Sequence, residues 1–404
     1  MKVLVVNAGS SSLKFTFFRM SREEMMAKGI VERIGLKDPH LVYKRRDGVQ
    51  VEEDAPVTNH DDALRLICGK LVDPAVGVVA SLSEVEAIGH RVVHGAEKFR
   101  DSVRIDGEVR AAIHLCSTLA PLHNPPNLGG VEACERAFPG VANVAVFDTA
   151  FHQTMAPEAY LYAVPYKLYE DYGIRKYGFH GTSHKFVAGA AAEFLNRPLH
   201  SLKLITCHLG NGCSAAAVRF GRVIDTSMGM TPLMGLVMGT RCGDIDPGVL
   251  FHLLKKGMTV DDLDTLLNKK SGLRGVAEIG SGDMRDILAA REAGTGRAAS
   301  AFAMFVHRLV FYIGGYHGLL DGADALVFTG GIGENSVPVR AAVIARLAGL
   351  GCRLDAARNH AARGAAEVST DDSTLKAIVI PTNEELMIAR ETVRVLAPPD
   401  NRPA

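Results

Sequence analysis

The sequence has no surplus of either charge and no paired cysteine motif. Its 45 lysines and arginines balance 45 aspartates and glutamates, so a basic surface for nucleic acid or membranes has no support. The seven cysteines form no C-x-x-C pair, which favours reduced thiols in a cytosol over disulfides or a zinc site. The apolar run from Val3 to Val6 is too short for the core of a signal peptide. These absences predict a cytoplasmic protein with no nucleic-acid or membrane partner.

Two common nucleotide-binding motifs are also missing. No G-x-x-x-x-G-K-[ST] phosphate loop occurs in the sequence. Gly210, Gly212 and Ala215 match the spacing G-x-G-x-x-A, but a dinucleotide site needs a helix directly after that turn. The residues that follow, 216–223, have the pattern of a hairpin instead. A nicotinamide-dependent dehydrogenase is therefore disfavoured.

The chain opens with a strand-like run that breaks into a small, hydroxyl-rich turn. The stretch VLVVNAGSSSLKF places Gly9 and three serines between two apolar runs, and such turns let backbone N–H groups approach a phosphate closely. A second copy, KLITCHLGNGCSAAAV, has the same order of strand, turn and strand, and its Gly210 lies 201 residues after Gly9. Because that offset is almost half of the chain, we expect a domain boundary near the middle.

Strand-like runs alternate with helical patterns, which predicts α/β layers. The 404 residues suffice for about two domains, and the boundary is expected just after the strand that ends at Asp148. The apolar stretch from Ala301 to Leu320 contains His307 and Arg308, which favours a helix in the core or at a subunit interface over a membrane span. We expect strands at 142–147, 204–208, 325–329 and 376–380, and helices at 60–71, 127–138, 182–195, 259–269 and 337–347.

Polar clusters follow several of the strand-like runs. Asp148 lies in VAVFDTAFH, Arg91 in GHRVVHG, His180 in YGFHGTSH and Arg241 in MGTRCGDIDPG. VFTGGIGEN predicts another glycine-rich turn after a strand, and PTNEEL places Glu384 after the last strand. Each residue alone has an ordinary structural explanation as part of a turn, a helix cap or a core. Together they are the groups that phosphoryl transfer requires, because that chemistry depends on positioning and charge neutralisation.

Ten motifs in a fixed order carry a resemblance over essentially the whole chain. They are NAGSSSLKF, GHRVVHGAEKF, LHNPPN, VFDTAFH, YGFHGTSH, HLGNGCS, DTSMGMTPL, GTRCGDIDPG, TGGIGEN and TNEEL. With these motifs the sequence resembles the acetokinase family, of the acetate and sugar kinase, Hsp70 and actin superfamily. The resemblance implies an α/β fold of the duplicated, actin-like (ribonuclease H-like) kind, with a cleft between two domains. These would be residues 1–150 with 385–404, and residues 151–384.

The resemblance also implies an activity and an assembly. The activity would be reversible transfer of the γ-phosphoryl group of ATP to acetate, giving acetyl phosphate and ADP by direct in-line transfer. The enzyme would be a homodimer in the cytoplasm. Asn7 and Glu384 match the family's Mg²⁺ positions, with Mn²⁺ as an alternative ion, and both offer the oxygen ligands that a hard cation prefers.

Four parts of the sequence match the family's nucleotide site. Lys14 would reach the nucleotide phosphates. The other three segments would surround ATP, and they comprise His208, Leu209, Gly210, Asn211 and Gly212; Asp283, Met284 and Arg285; and Gly331, Ile332, Gly333, Glu334 and Asn335.

The resemblance also assigns residues to acetate and to the transferred group. Arg91 would hold the carboxylate, which suits a planar guanidinium. Arg241 and His180 would donate hydrogen bonds to the phosphoryl group in transfer. Asp148 matches the catalytic acid position, and its role stays open between orienting the substrate and orienting a metal-bound water. The wall of the acyl pocket would comprise Val93, Leu122, Phe179 and Pro232.

Other interpretations stay open from the sequence alone. A propionate or butyrate kinase would share the same residues, because the volume of the acyl pocket cannot be read from sequence. A pyrophosphate-dependent relative is disfavoured by the intact TGGIGEN turn. An Hsp70-like or actin-like machine would need an appended binding segment, and we expect none after Pro381. For His90, His94 and His123 we expect structural roles.

Overall fold

The computed structural model describes residues 1–121 and 123–398, which form two compact units. The first unit comprises residues 1–151 and the chain from Asn383 onward, and the second comprises His152–Thr382. Each unit is built on a sheet of its own with helices packed against it.

The first unit has eight strands within the described residues: β1 (Lys2–Ala8), β2 (Ser12–Arg19), β3 (Glu24–Glu32), β4 (His40–Arg45), β5 (Gln50–Asp54), β6 (Ala87–Val92), β7 (Val103–Arg104) and β8 (Ala142–Phe147). They form one sheet in the order β5-β4-β3-β2-β1-β6-β8-β7. Its helices are α1 (His60–Val72), α2 (Gly107–Leu115), α3 (Asn124–Ala137) and α15 (Glu384–Leu396). Because β1, β6 and β8 are parallel neighbours, their carboxyl ends meet at one edge.

Helices cover both faces of this first sheet. Leu4 and Val6 lie in the same apolar cluster as the buried residues of α1, whereas Val3 and Val5 pack with Ile388 of α15. Alternate residues of a strand point to opposite faces. The continuous apolar run at the start of the chain is therefore what a strand buried on both sides requires.

The second unit has six strands within its described residues: β9 (Lys203–Leu209), β10 (Cys213–Arg219), β11 (Arg222–Thr226), β12 (Ala325–Thr329), β13 (Ala366–Glu367) and β14 (Lys376–Val379). They form a sheet in the order β11-β10-β9-β12-β14-β13. The helices are α4 (Pro157–Tyr160), α5 (Lys167–Tyr172), α6 (Gly181–Phe194), α7 (Pro247–Lys255), α8 (Val260–Lys269), α9 (Gly272–Ala277), α10 (Met284–Glu292), α11 (Gly296–Leu319), α12 (Gly330–Asn335), α13 (Val337–Ile344) and α14 (Ala356–Ala361).

The two sheets repeat one core arrangement. In the first, the antiparallel hairpin β1–β2 lies beside the parallel strands β6 and β8. In the second, the hairpin β9–β10 lies beside the parallel strands β12 and β14. The predicted α/β class and its duplication are confirmed, and the residues after Gly212 continue as strands, as expected.

The predicted elements are present, and three predictions differ from the structure by more than one residue or in the type of element. The strands expected at 142–147 and 325–329 have those bounds in β8 and β12. The start predicted for α3 was wrong by three residues, because Pro125 and Pro126 fit the first turn of a helix, where no N–H partner is needed. The end predicted for α13 was also late, since the helix stops at Ile344 and Ala345 forms its cap. The prediction of a glycine-rich turn in TGGIGEN is wrong, because residues Gly330–Asn335 form α12. Glu334 stabilises this helix by accepting a hydrogen bond from the Gly330 N–H.

Helix α11 is long and apolar enough to cross a bilayer by length and composition, and it is the single such helix among the described residues. It packs against α9, α10 and β10 and buries Phe305, Leu309 and Ile313. These contacts are those of a helix packed in the second unit. A core helix can meet the same criteria of length and composition as a membrane span.

Candidate active site

Arg91 and Asp148 meet at the carboxyl edge of the first sheet. Arg91 is the penultimate residue of β6, and Asp148 follows β8 directly, so the parallel pairing of these strands brings the two side chains together. Nε and Nη2 of Arg91 both donate to Oδ2 of Asp148, at 3.0 and 2.6 Å. Asp148 is 1% exposed, whereas the Arg91 side chain is 25% exposed. The ion pair therefore holds the guanidinium at a fixed angle, with one side toward solvent.

Glu384 adds a second carboxylate to this edge of the first unit. It is the first residue of α15, and its pKa is raised to about 7. Burial is the main cause, the positive charge of Arg91 opposes it, and the carboxylates of Asp148 and Glu385 add to it. These groups therefore form one electrostatically coupled cluster, in which a cation would favour the ionised form of Glu384.

Asn7 and Lys14 lie on the first hairpin. They are paired across β1 and β2, so their side chains lie on the same face of the sheet. The turn between these strands is closed by a hydrogen bond from the Gly9 N–H to the Ser12 carbonyl, at 2.8 Å. The side chain of Asn127 donates to the Ala8 carbonyl and accepts from the Val93 N–H, which ties the end of β1 to the end of β6.

The second hairpin carries a matching turn. One loop packs closely against this turn, and a second loop packs against the first. The Gly239 N–H donates to the Asn211 carbonyl at 3.0 Å. A Cβ on Gly239 would overlap Oδ1 of Asn211, and a Cβ on Gly282 would overlap the Gly239 carbonyl. Because only glycine permits this approach, the loop before Arg241 lies directly on the turn, and the loop before Asp283 lies directly on the loop before Arg241.

His180 and Arg241 converge on Gly212 in this turn. A Cβ placed on Gly212 would lie 3.4 Å from Cε1 and Nε2 of His180 and 3.5 Å from Nη1 of Arg241. Nη1 of Arg241 also donates to the Pro232 carbonyl at 3.2 Å, and burial lowers the pKa of Arg241. The structure thus brings together a histidine ring, a guanidinium and a glycine-rich turn, and groups of this kind can donate hydrogen bonds to an anion.

The backbone at His180 is strained. His180 precedes α6 with φ 57° and ψ 23°, in the left-handed region that non-glycine residues rarely adopt. Its ring stacks on His208 with centroids 4.3 Å apart, and Nδ1 of His208 lies 2.8 Å from Oγ of Ser183. Such strain persists only where the surrounding contacts determine the position, and it is concentrated at functional sites.

A cavity of about 680 Å³ opens beside this turn in the second unit. Its volume lies within the range of ligand pockets. Apolar groups of Met284, Leu288 and Ile332 line it together with polar groups, and the full lining is Gly210, Asn211, Thr240, Gly282, Asp283, Met284, Arg285, Leu288, Gly331, Ile332, Asn335, Ser336 and Pro338. This combination of apolar walls and polar groups suits a nucleotide.

Arg285 and Asp283 form a paired group within that lining. Nε and Nη2 of Arg285 donate to the two carboxylate oxygens of Asp283, which lowers the pKa of Asp283.

A larger cavity, of about 1020 Å³, lies in the first unit between ion pairs such as Arg45–Asp47. It contains none of the predicted site residues, whereas the smaller cavity contains several residues predicted for the nucleotide.

Not every residue predicted for the nucleotide lines that cavity. Leu209 and Gly333 are buried, and His208 and Gly212 lie at the turn instead. Glu334 accepts hydrogen bonds from the N–H groups of Gly330 and Thr382, so its carboxylate holds α12 in place.

The residues predicted for the acyl wall are divided between the units. Val93 lies in the first unit, and Phe179 and Pro232 lie in the second. Val93 and Phe179 are buried, and the Phe179 carbonyl accepts a hydrogen bond from Nε2 of His152. Leu122 lies outside the described residues.

Two histidines near the first site are buried and neutral. Nε2 of His90 donates to Oδ1 of Asn143 at 2.7 Å, and the His94 Nδ1 accepts from the Ala96 N–H. Burial lowers the pKa of both rings to about 4. Among the residues that the structure describes, no group of three or more His, Cys, Asp or Glu side chains is arranged to hold a metal ion.

Comparison with known proteins places the chain in a family. A sequence profile of the acetokinase family matches residues 2–390. The chain belongs to the acetokinase family. An acetate kinase from Desulfitobacterium hafniense (strain DSM 10664 / DCB-2) is 52% identical over 397 residues, which cover 98% of this chain and 99% of the relative. The membership makes the chain a kinase with ATP and ADP as co-substrates.

Solved acetokinase structures share the fold. The crystal structure of Porphyromonas gingivalis acetate kinase matches with a TM-score of 0.94 and 43% identity, covering 98% of this chain and 100% of the other. A propionate kinase from Francisella tularensis subsp. tularensis SCHU S4 matches with a TM-score of 0.91 and 41% identity, at the same coverage. The predicted family and fold class are confirmed.

Several residues that line the cavity of about 680 Å³ were not among the predicted site residues. Thr240, Gly282 and Ser336 each adjoin a predicted segment, so neighbourhood in the sequence was an available signal. Ser336 has a buried Oγ with no hydrogen-bond partner among the described residues. Leu288 and Pro338 carry no signal of their own, because apolar side chains on α10 and α13 would be assigned to a core.

Proposed function

We propose that this acetokinase transfers the γ-phosphoryl group of ATP to acetate, reversibly and directly in line, giving acetyl phosphate and ADP. The observation that carries the proposal is the convergence of His180 and Arg241 on Gly212, beside the nucleotide cavity. Preorganised donors at that point would neutralise charge on the phosphoryl oxygens during transfer, and each such donor is typically worth about 3 kcal/mol.

The acceptor is a carboxylate held by Arg91. Two of its nitrogens donate to Asp148, which leaves Nη1 and the second hydrogen of Nη2 for a substrate oxygen. Acetate is already ionised at neutral pH, so it needs no general base. Asp148 therefore acts as the residue that orients Arg91.

Asn7 and Glu384 would hold Mg²⁺, or Mn²⁺ in its place. The residues present fit such an ion: an amide oxygen and a partly desolvated carboxylate are hard donors, and Mg²⁺ is commonly bound through only one or two carboxylates plus substrate phosphates. When bound, such an ion would neutralise charge on the nucleotide phosphates. Lys14, across the hairpin from Asn7, supplies a further positive charge from the protein itself.

The two compact units are the two actin-like domains, and the enzyme acts as a homodimer in the cytoplasm. Exposed apolar side chains support an interface on the second unit, since Phe311 on α11 is 68% exposed and Phe251 on α7 is 63% exposed. The seven free cysteines support a reducing compartment. Light scattering coupled to size-exclusion chromatography tests the dimer.

A propionate kinase is the second candidate, because the Francisella tularensis propionate kinase structure matches almost as well as the acetate kinase structure. The deciding experiment measures kcat/KM for acetate, propionate and butyrate with ATP and Mg²⁺. We expect acetate to lead and butyrate to be the poorest. A preference for propionate would replace acetate in the proposal, and no ATP-dependent acyl phosphate from any of the three would overturn it.

Arg91→Ala tests the carboxylate site. This variant should mainly weaken acetate and acetyl phosphate and leave nucleotide binding unchanged, since charged hydrogen bonds contribute about 1.5–3 kcal/mol. Arg136→Ala is the matched control, because Arg136 forms a comparable two-pronged pair with Asp61 in the same unit, away from the site. Loss of ATP affinity with an unaltered KM for acetate would contradict the assignment.

A further inference from the structure

Behind His180, a line of hydrogen-bonding side chains runs into the second unit. Nδ1 of His180 lies 2.8 Å from Oγ of Ser214, and that oxygen lies 2.8 Å from Nε2 of His184. Nδ1 of His184 lies 2.7 Å from Oγ1 of Thr206. Ser214, His184 and Thr206 are all 0% exposed, and we call these three residues the support chain.

Rigid elements hold every member of the support chain. Thr206 and Ser214 lie on the paired strands β9 and β10. His184 lies on α6, one turn after His180, and its N–H donates to the His180 carbonyl at 2.9 Å. Both rings reach Ser214 on β10, and the His184 ring also reaches Thr206 on β9.

The number of protons in the support chain restricts its arrangement. His184 is neutral, because burial lowers its pKa well below 6.5 and His152 and His208 act in the same direction. It therefore has one N–H and one acceptor nitrogen. The Ser214 hydroxyl has one hydrogen and two acceptor lone pairs. When its hydrogen is given to one of the two histidine nitrogens, all three hydrogen bonds of the support chain point the same way.

Two directions satisfy these buried atoms, and they differ at His180. In the first, Thr206 donates to Nδ1 of His184, Nε2–H of His184 donates to Ser214, and Ser214 donates to Nδ1 of His180. Neutral His180 then carries its proton on Nε2, the nitrogen that lies at Gly212. In the second, all three bonds are reversed and the proton of neutral His180 is on Nδ1, with a lone pair at Gly212.

We propose that Ser214, His184 and Thr206 are positioning residues that hold His180 with its N–H on Nε2, aimed at the phosphate-binding turn. Only the first direction gives the phosphoryl group a donor without an added proton. A lone pair at the same place would repel the phosphoryl oxygens. The support chain also accounts for the strained backbone of His180, since it fixes the ring from behind. This inference rests on the proposed function of His180.

Steady-state kinetics of Ser214→Ala test the support chain. Losing a group that orients a reacting side chain typically costs about 10- to 100-fold in activity, so kcat should fall by that factor while KM for ATP and acetate stays within about twofold. Ser369→Ala is the matched control: Ser369 is equally buried in the same unit and its hydroxyl also makes two hydrogen bonds, to Glu367 and from the Ala377 N–H. Its kcat should equal that of the wild type.

A double variant separates positioning from general destabilisation. In a His180→Ala background, Ser214→Ala should lower kcat by less than about twofold, because residues that act as a unit are not additive. The same loss in both backgrounds would overturn the proposal, as would an unchanged kcat in folded Ser214→Ala. If Ser214→Ala fails to fold, Ser214→Cys keeps the side-chain volume and replaces a strong donor with a weak one, and its kcat should fall in the same way.

Nuclear magnetic resonance of histidine-labelled protein reads the proton directly and needs no activity. Two-dimensional ¹H–¹⁵N correlations show which ring nitrogen carries the hydrogen, and His180→Ala identifies the signal. A neutral His180 with its proton on Nε2 supports the proposal, and a proton on Nδ1 overturns it. Wild-type protein that makes no acyl phosphate would overturn the proposed function instead, and this spectrum would still test the arrangement of the support chain.

Discussion

The ion pair between Arg91 and Asp148 makes Asp148→Asn a sharp test of how the first unit is organised. Both donating nitrogens of Arg91 reach the same oxygen, Oδ2, at 3.0 and 2.6 Å. Asparagine keeps the size of the side chain and one acceptor oxygen, but it removes the negative charge. The guanidinium then keeps weakened hydrogen bonds and has no charged partner at this position.

The cost can be worked from burial. Removing one partner of a buried ion pair costs about 3–5 kcal/mol, and hydrogen bonds to charged groups are worth about 1.5–3 kcal/mol. Asp148 is 1% exposed, whereas the Arg91 side chain is 25% exposed, so water compensates part of the loss. We expect Asp148→Asn to lower the free energy of unfolding by about 3 kcal/mol.

Although Asp148→Asn should weaken the folded state, it should not weaken the binding of acetate. An unpaired Arg91 attracts a carboxylate more strongly, so KM for acetate should stay constant or fall, while kcat falls by about 100-fold because the guanidinium is no longer oriented. Urea unfolding with and without acetate measures how strongly acetate binds to the folded protein. Acetate should stabilise the variant more than the wild type. Asp61→Asn is the control, since it breaks an exposed pair with Arg136 and should cost less than about 1 kcal/mol.

Two results would refute this reasoning. If Asp148→Asn unfolds at the same urea concentration as the wild type, the ion pair does not hold Arg91. If KM for acetate rises steeply and stability is unchanged, Asp148 acts on the substrate or on metal-bound water, and not through Arg91.

Four further predictions concern other residues. Val93→Ala should raise the propionate-to-acetate ratio of kcat/KM by about tenfold or more, because one methylene is worth about 1–3 kcal/mol in a small apolar pocket; an unchanged ratio would make Val93 a packing residue. Ser336→Ala should raise KM for ATP about two- to tenfold if the nucleotide satisfies its buried hydroxyl, and an equal KM would exclude that contact. A chelator should abolish activity and Mg²⁺ should restore it, with Glu384→Gln needing more Mg²⁺ than the wild type; equal requirements would remove Glu384 from the metal site. His90 should make stability depend on pH, because the unfolded ring has a pKa near 6.5 and the buried ring has a pKa of about 4. When the pH falls from about 7 to about 5.5, the free energy of unfolding should therefore drop by about 1 kcal/mol more in the wild type than in His90→Gln. Equal drops, measured by urea titration, would contradict a neutral buried His90.

Local patterns were enough to predict the elements that carry the site. The apolar runs that end at Phe147 and Thr329 read as strands because both faces of each are buried, and their bounds are those observed. The two glycine-rich turns could be matched because each lies between strands of one hairpin. Residues at strand ends, such as Asp148, could then be chosen as candidates.

Contacts between distant segments could not be predicted from these patterns. Arg91 and Asp148 are 57 residues apart in sequence, and their contact depends on which strands are neighbours in the sheet. Ser214 is opposite His208 only through the register of β10 on β9. The same limit applies to α12, where Glu334 turns a glycine-rich segment into helix through a side-chain contact that composition does not show.

Close backbone packing explains how the loops that carry Arg241 and Asp283 are held next to the turn of the second hairpin. Arg241 comes from a loop that passes Asn211 at Gly239, and Asp283 comes from a loop that passes Gly239 at Gly282. A side chain at either glycine would overlap a neighbouring atom and push its loop away from the turn. Displacement of about 1 Å is enough to cost about 100-fold in rate when reacting groups must be aligned. Gly239 and Gly282 are therefore needed to hold the proposed phosphate site in place, although they lie outside the turn itself.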